Sequence, residues 1–209
     1  MRVILASQSE ARQRLLAQLL GHRQFEVRPA DLDERRLQRQ IIDGEPLTLL
    51  LAKRVTRRLA SAKANAVWQT VAQRSRVSTL VIGSDQLLYV PELQLIAGKP
   101  GSFARADRFL AMMAGRSAWL LTAVAVVARG GRPRVSLQAA RLQFARISAD
   151  ERRAVLRADK PYNCAGSFKI EERGIALFDA VRSDDPTGIQ GLPLMRLRRL
   201  LRDSGLSYI

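Results

Sequence analysis

The sequence predicts an α/β protein in which a mixed, twisted sheet is flanked by helices. Short apolar runs typical of buried strands alternate with longer amphipathic runs typical of helices. Two apolar-rich strands, Trp119–Arg129 and Arg134–Arg146, are separated by Gly130-Gly131, which indicates an antiparallel pair. No linker, repeat or low-complexity tract interrupts the 209 residues. We therefore expect a single domain over residues 1–209.

The N-terminal elements are predicted from apolar runs and capping residues. The run VILA indicates a strand at Arg2–Ala6. Ser9 is a favourable N-cap for the helix that follows, which carries a stripe of leucines and ends at Gly21. A second strand is expected at Phe25–Arg28, where apolar and polar residues alternate.

The central elements are a long helix and a buried strand. The helix is expected from about Leu47 to Thr70, with a basic face. Ser78–Gly83 is apolar throughout its centre, which is typical of a strand covered on both faces. Leu87–Val90 and Leu93–Ile96 are predicted to form a hairpin.

The C-terminal helices are predicted from capping signals and leucine spacing. One helix is expected to begin at Ser102 and end at Gly115. The segment from Ser148 to Glu151 has the capping-box pattern that opens a helix. Leu192–Arg202 is predicted to be the last helix, with leucines along one face.

Composition excludes several classes of function. Hydrophobic residues make up 47% and charged residues 26% of the chain, as in ordinary globular proteins. The single cysteine, Cys164, excludes an internal disulfide, and with His22 as the only histidine the chain lacks the ligands for a zinc site. No apolar run approaches the roughly 18 residues of a membrane span, and the N-terminal run is too short for a signal peptide. We expect a cytoplasmic protein.

The charge is strongly basic. The 35 Lys and Arg residues outnumber the 19 Asp and Glu residues, for a net charge of +16. Such a charge attracts any polyanion, whether nucleic acid, anionic lipid or nucleoside triphosphate. Because the arginines are spread along the chain, they also fit an interpretation as solvated helix faces. The charge therefore does not identify a partner.

Two polar clusters follow predicted strands. The first, from Ser7 to Arg12, places hydroxyl groups and a guanidinium at a helix N-terminus, where phosphate binds readily. The same pattern is also typical of an ordinary capped helix. The second is Gly83-Ser84-Asp85-Gln86, at the expected end of a buried strand, where α/β sheets usually bind ligands. Asp85 could hold a divalent metal and deprotonate a water molecule, or simply cap a turn.

Two further clusters lie in loops. Gly98-Lys99-Pro100 holds an ammonium group in a constrained turn, where it could neutralise phosphate, although such turns are common. The segment from Cys164 to Glu171 is rich in small residues that permit close approach to a ligand. The Glu171 carboxylate could accept the two donors on the pairing edge of guanine, or it could be a surface charge.

In order and spacing, these clusters resemble the Maf family of nucleotide pyrophosphatases over essentially the whole chain. The matching motifs are LAS-x-S…R near the N-terminus, DLDE at 31–34, RLA-x-x-KA at 58–64, GSDQ at 83–86, GKP at 98–100, AGSF at 165–168 and GLPL at 191–194. Each motif is weak alone, but seven in the same order are specific.

The resemblance implies an α/β fold of the Maf and ITPase type with a deep central cleft, often dimeric. It also implies conversion of a nucleoside triphosphate to the monophosphate and diphosphate with a divalent metal, Mg²⁺ or Mn²⁺. Asp85 matches the proton acceptor of the family, and Glu34 is its expected metal partner. The positions that match phosphate contacts are Ser9, Arg12, Lys63 and Lys99, with Ser7 in the same motif.

GSDQ together with AGSFK-x-E resembles the branch of the family that acts on 7-methyl-GTP. In that branch, Gln86 and Glu171 match positions that set base choice. Methylation at N7 makes guanine cationic, and this favours an acceptor carboxylate. Ala11 departs from the branch, which has a tryptophan there, and so removes a face for a cationic base worth about 0.5–2 kcal/mol.

Two alternatives remain open from the sequence. The same reaction could act on dTTP and UTP, although Gln86 and Glu171 argue against pyrimidine bases. A protein that keeps the fold without catalysis could instead bind nucleic acid or regulate cell division. The charge of +16 supports that alternative, whereas the intact Asp85, Lys63 and Lys99 argue against it.

Overall fold

The computed structural model describes residues 1–72, 78–128 and 130–206, and its strands form one sheet. The strands are β1 Arg2–Leu5, β2 Glu26–Val27, β3 Thr79–Val90, β4 Leu95–Ala97, β5 Ser117–Val127, β6 Arg134–Phe144 and β7 Phe178–Arg182. The helices are α1 Glu10–Leu20, α2 Glu34–Ile42, α3 Leu49–Ala72, α4 Phe103–Met113, α5 Ala149–Asp159, α6 Pro186–Ile189 and α7 Leu194–Asp203. The predicted mixed sheet flanked by helices is confirmed.

The sheet has the strand order β2-β1-β3-β5-β6-β7, with β4 also paired to β3. Strand β1 runs parallel to β2 and β3, and the other neighbouring pairs are antiparallel. The predicted antiparallel pair is β5 with β6. Arg129, which the prediction placed at the end of β5, lies outside the described residues.

Strand β3 changes neighbours along one of its edges. Residues 79–82 pair with β1 and residues 88–90 pair with β4, while β5 pairs along the opposite edge from residue 81 to residue 89. Among the described strands, none pairs with residues 83–87 on the β1 side. We call this stretch the open edge of β3.

The prediction that a strand ends at Gly83 is wrong. Strand β3 continues to Val90, so Asp85 lies in the middle of a strand and not in a turn after it. Polar residues are tolerated there because Ser84 and Gln86 are hydrogen-bonded to neighbouring segments and Asp85 is ion-paired. The second hairpin strand is also shifted, because residues 91–93 form a 3₁₀ turn before β4.

Helices cover both faces of the sheet. On one face, α3 packs through residues such as Ala60 and Ala64 against Val81 and Ala125. On the other face, α1 and α7 cover one end of the sheet, and α4 and α5 cover the other end. The space between these two helix pairs lies over the middle of β3.

A close approach of α3 to β3 depends on Gly83. A Cβ at this position would lie 2.5 Å from the backbone oxygen of Ala60 and 2.7 Å from the backbone nitrogen of Ala64. Neither backbone atom can move independently of the helix. Gly83 therefore allows the middle of α3, which carries Lys63, to lie against β3.

Most predicted helix signals are confirmed. Ser9, Ser102 and Ser148 are N-caps, the last in a capping box with Glu151, and Gly21 follows α1 in a left-handed conformation. Helix α2 and strand β7 were not predicted. Within the described ranges, no helix has the length and apolar character needed to cross a membrane.

Candidate active site

A buried carboxylate, a lysine and a second carboxylate meet on the α3 side of the open edge. Lys63 Nζ lies 2.5 Å from Asp85 Oδ1 and 2.8 Å from Glu34 Oε2. Asp85 comes from β3, Lys63 from the middle of α3 and Glu34 from the first turn of α2. We call these three residues, together with Arg12, the inner cluster.

Asp85 is held in an environment that opposes its ionisation. Burial raises the pKa of Asp85, the positive charges of Lys63 and Arg12 lower it, and the charge of Glu34 raises it. The net pKa lies above the ordinary value of 3.8. Its second oxygen, Oδ2, is buried and accepts no hydrogen bond from any residue that the structure describes. This oxygen is therefore available to a proton, a water molecule or a cation.

Arg12 reaches the inner cluster from the opposite face of the sheet. Its Nε donates to the carbonyl of Gly191 at 2.9 Å, and its Nη1 donates to Ser7 Oγ at 3.2 Å. Burial lowers the pKa of Arg12, while the negative charges of Asp85 and Glu34 raise it. Because β1 has ended, a side chain from each face can approach Asp85 around the open edge.

The two predicted serines lie at the N-terminus of α1. Ser9 Oγ accepts a hydrogen bond from the backbone N–H of Arg12 at 3.4 Å. Ser7 Oγ accepts from the backbone N–H of Ser9 at 3.3 Å. The hydroxyl groups, the helix N-terminus and the Arg12 guanidinium therefore converge, which is an arrangement suited to an anion.

Gln86 points away from Asp85, because successive side chains of a strand lie on opposite faces. Its Nε2 lies 3.0 Å from Thr122 Oγ1 and 3.0 Å from the carbonyls of Gly188 and Ile189. The amide nitrogen is thus occupied by protein groups on the α1 and α7 side of the sheet. Gln86 can therefore influence base choice only through its side-chain carbonyl or through the segment at residues 188–189 to which it is hydrogen-bonded.

A second group of charged residues surrounds Glu171 and Cys164. Glu171 Oε1 is 3.5 Å from Arg14 Nη2 of α1. Burial raises the pKa of the nearby Cys164 thiol, and the charges of Lys169, Glu171 and Lys99 also act on that thiol. We call Glu171, its ion-pair partner Arg14 and the two lysines that act with it on Cys164 the outer cluster. Ala11 lies one helical turn before Arg14 on α1.

The structure separates the predicted site residues into these two clusters. Lys63, Arg12 and Glu34 lie with Asp85, as predicted, and their charges are the ones that act on it. Lys99 is exposed and lies in the outer cluster with Glu171. The role predicted for Lys99 at the phosphates therefore requires the substrate to span both clusters.

Two polar residues near the site were not predicted. Arg14 was hidden in the arginine-rich sequence of α1, where nothing distinguishes it from a solvated side chain. Thr122 is fully buried in the apolar run of β5. A hydroxyl group in such a run requires a hydrogen-bond partner, and this was the signal that could have identified it.

Helix α2 is only partly buried. None of its side chains is fully buried, although Leu37 and Ile41 pack against a core cluster of α3 and β3 residues. A groove of about 510 Å³ lies between α2 and α3, and its lining includes Leu37 and Ile41 of α2 and Arg58 and Asn65 of α3. Glu34 is thus carried by the least tightly packed of the elements that form the inner cluster.

Two carboxylates of the inner cluster, Asp85 and Glu34, could act as donors to a metal ion. In the part of the chain that the structure describes, no group of three or more His, Cys, Asp or Glu residues could hold a metal ion. Asp85 and Glu34 nevertheless both contact one ammonium group, so a single cation could reach both carboxylates. Mg²⁺ is commonly held by one or two carboxylates plus substrate phosphates.

Comparisons with known proteins identify one family. The family model described as Maf-like protein matches residues 2–204. A 7-methyl-GTP pyrophosphatase of Polaromonas sp. is 40% identical, with 98% of this chain and 85% of that protein covered. Another from Xanthomonas campestris pv. campestris is 38% identical, with 99% of this chain and 97% of that protein covered.

Solved structures support the fold. A HAM1 protein from Coxiella burnetii has a TM-score of 0.52 at 16% identity, covering 97% of this chain and 99% of that chain. A nucleoside-triphosphatase (dITP/XTP pyrophosphatase) from Mycobacterium abscessus has a TM-score of 0.50 at 15% identity, covering 98% and 95%. At these identities the similarity concerns the architecture alone.

Proposed function

This chain belongs to the Maf-like protein family, and from that premise we propose that it is a nucleoside triphosphate pyrophosphatase acting on 7-methyl-GTP. The products are 7-methyl-GMP and diphosphate. The observation that carries the proposal is the Asp85 carboxylate, which is buried between Lys63 and Arg12 and has one oxygen without a described partner. The names of the relatives support the choice of substrate.

Asp85 acts as the general base. Its raised pKa brings a carboxylate closer to neutrality, where it is ionised and still accepts a proton effectively. Oδ2 takes a proton from the attacking water, whose oxygen bonds to phosphorus. The bond between the α- and β-phosphates breaks, and its electrons leave with diphosphate. Lys63 holds Oδ1 and so orients the free oxygen.

The cations neutralise the triphosphate, which carries about four negative charges. Arg12 is anchored through Nε and Nη1, and its Nη2 has no hydrogen-bond partner among the described residues, so this nitrogen can bind phosphate oxygens. Ser7, Ser9 and the N-terminus of α1 add donors beside it. Lys99 contributes from the outer cluster. Fixed positive groups of this kind also stabilise the charge of the departing diphosphate.

A divalent ion, Mg²⁺ or Mn²⁺, fits the inner cluster. Asp85 and Glu34 would hold it, because Oδ2 of Asp85 is buried without a described partner and Glu34 is the second carboxylate on the same ammonium group. When bound, such an ion supplies positive charge to the phosphates and lowers the pKa of a coordinated water.

Glu171 sets the base preference. Its carboxylate accepts the N1–H and 2-amino donors of guanine, and the positive charge of the 7-methyl base strengthens both hydrogen bonds. The side chain is 23% exposed, so water does not fully screen it. Gln86 supports this role from the segment at residues 188–189. Ala11 offers the base no aromatic face.

The decisive experiment is a nucleotide panel scored for diphosphate release with Mg²⁺, with Mn²⁺ and after metal removal. We expect 7-methyl-GTP to be the best substrate and chelation to abolish turnover. A preference for dTTP and UTP would replace the proposed substrate and leave the reaction class intact. Salt-sensitive DNA binding without diphosphate release from any nucleotide would refute the enzymatic proposal.

The organisation of the enzyme completes the proposal. We expect residues 1–209 to fold as one domain and to act in the cytoplasm as a homodimer. Limited proteolysis with mass spectrometry tests the first expectation, because one domain yields a single protected core. Sedimentation equilibrium tests the dimer, and fractionation of the native host tests the compartment.

A further inference from the structure

A chain of buried hydrogen bonds lies beneath the proposed phosphate site. Thr122 of β5 is paired directly with Gln86 of β3 and is fully buried. Its hydroxyl donates to the carbonyl of Gly188 at 2.8 Å and accepts from Gln86 Nε2 at 3.0 Å. Both side chains therefore hold the segment Gly188–Gly191, which we call the anchored turn.

Ser84 holds the other end of the anchored turn. Its Oγ lies 2.9 Å from the carbonyl of Gly191 and 2.9 Å from that of Ala123. The carbonyl of Gly191 also accepts the hydrogen bond from Arg12 Nε at 2.9 Å. Ser84 thus contacts the carbonyl that receives Arg12, and Thr122 holds the Gly188 carbonyl, which accepts the backbone N–H of Gly191 at 3.1 Å within the same turn.

Gly191 has a backbone conformation that favours glycine and lies close to Arg12. Its φ is +111°, which L side chains rarely adopt, and a Cβ there would lie 3.4 Å from Arg12 Nε. The guanidinium therefore packs directly against the backbone of the turn. A displacement of the turn would move the Arg12 guanidinium with it, because among the described residues Ser7 Oγ is the only other acceptor of its hydrogen bonds.

The burial of Thr122 has no other evident reason. It stands in the run LLTAVAVV, where valine would have the same shape and would leave no hydroxyl to satisfy. Within the described residues, the hydrogen bonds of its hydroxyl lead to the anchored turn and to Gln86 and not to the inner cluster.

We propose that Thr122 is a positioning residue for the triphosphate: it fixes the anchored turn, whose Gly191 carbonyl aims the half-buried Arg12 guanidinium at the phosphates. This inference rests on the proposed function, because it assigns Arg12 to the triphosphate. It extends that function to a residue of β5 that never touches substrate. It also gives Gln86 a part in phosphate positioning through the same turn.

The first test is Thr122→Val, which keeps the shape and removes the hydroxyl. Loss of a buried hydrogen bond should raise KM for 7-methyl-GTP by roughly tenfold and change kcat less. Thr122→Ser keeps the hydroxyl and should restore KM. Thr56→Val is the matched control, since Thr56 is equally buried and its hydroxyl donates to the carbonyl of Ala52 at 2.7 Å.

The second test is a double-mutant cycle with Arg12→Ala. If Thr122 acts through Arg12, Thr122→Val should add little to the loss caused by Arg12→Ala. Additive effects, or an unchanged KM in Thr122→Val, would overturn the proposal. If Thr122→Val does not fold, Ser84→Ala removes the hydroxyl at the other end of the turn and enters the same cycle.

A measurement of phosphate binding tests this proposal independently of the proposed function. Inorganic tripolyphosphate is the probe, measured by calorimetry with the full chain, and it requires no turnover. Weaker binding in Thr122→Val, with no weakening in Thr56→Val, supports the positioning role even if no nucleotide is hydrolysed. Equal binding by both variants and the unmodified protein overturns it even if the enzyme is active.

Discussion

The inner and outer clusters each pair a carboxylate with a cation, but in very different environments. Asp85 and Lys63 have side chains that are 5% and 10% exposed, and their charged atoms are 2.5 Å apart. Glu171 and Arg14 are 23% and 65% exposed, and theirs are 3.5 Å apart. Burial fixes the inner groups proposed to act on phosphate, whereas Glu171, proposed to act on the base, remains adaptable. Substitutions in the inner cluster should therefore change turnover, and those of Glu171 and Arg14 should change substrate choice.

The largest effect is expected from Asp85→Asn, which removes the proposed base and keeps the shape. Loss of a general base should lower kcat by about 100- to 10,000-fold. Circular dichroism should show an unchanged fold. Asp107→Asn is the matched control, because Asp107 is paired with Arg152 and Arg153 away from the site and should leave kcat unaltered. Near-normal turnover in Asp85→Asn would remove the distinction between the clusters.

Lys63→Met tests the burial of the inner pair. Removing one partner of a buried pair leaves an uncompensated carboxylate, which should lower the free energy of unfolding by about 3–5 kcal/mol. The double variant with Asp85→Asn should recover part of this loss, since no buried charge is left unpaired. Urea unfolding measures the free energy of unfolding of the single and double variants. If the double variant is the sum of the single ones, the two side chains are not coupled.

The raised pKa of Asp85 predicts opposite pH effects on stability and activity. The folded protein retains this proton to a higher pH than the unfolded chain, so stability from Asp85 is complete below pH 3.8 and is lost as pH rises through the raised pKa. Activity should increase over the same interval as the carboxylate ionises. Asp85→Asn should remove the contribution of Asp85 to the change in free energy of unfolding with pH. An unchanged pH dependence in this variant would contradict the raised pKa of Asp85.

Glu171→Gln tests the outer cluster. Loss of a charged acceptor should lower the ratio of kcat/KM for 7-methyl-GTP to that for UTP by roughly tenfold. The ratio requires both nucleotides to be measured under the same metal and salt conditions. Glu172→Gln is the control, because Glu172 is the next residue in the sequence and is also exposed. A ratio that changes equally in both variants would exclude Glu171 as the determinant.

The smallest effect is expected from Arg14→Gln. The exposed pair with Glu171 contributes about 0.2–1 kcal/mol, and it competes with a cationic base for the same carboxylate. KM for 7-methyl-GTP should therefore fall by roughly two- to fivefold at low salt, and the difference should vanish at high salt. Arg14→Lys retains the charge and should behave like the unmodified protein. A higher KM in Arg14→Gln would mean that Arg14 binds substrate instead.

The fold class and most helix ends could be predicted because they depend on local signals. Ser148 with Glu151 illustrates this, since a capping box needs only four residues. The course of β3 could not be predicted, because the sequence GSDQ looks like the end of a strand. Ser84 and Gln86 are hydrogen-bonded to the anchored turn and Asp85 is ion-paired with α3, and these partners are distant in sequence.

The proximity of the inner-cluster residues could be predicted from the sequence, but the position of Lys99 relative to them could not. Motif order places Asp85, Lys63 and Arg12 together, and the structure brings them together. The separation of Lys99 from Asp85 depends on β4 leaving β3 beyond the open edge, a matter of strand pairing. Thr122 belongs to no motif, and its role depends on tertiary contacts.

The continuous pairing of β3 with β5 has a mechanical consequence. Nine consecutive residue pairs, from Val81 with Val127 to Tyr89 with Trp119, run without a break through the strand that carries Asp85. The two ends of the sheet are therefore connected by one continuous, stiff pair of strands and not by a flexible linker. We therefore expect substrate entry and diphosphate release to depend on displacement of α2, the helix that carries Glu34 and has no fully buried side chain.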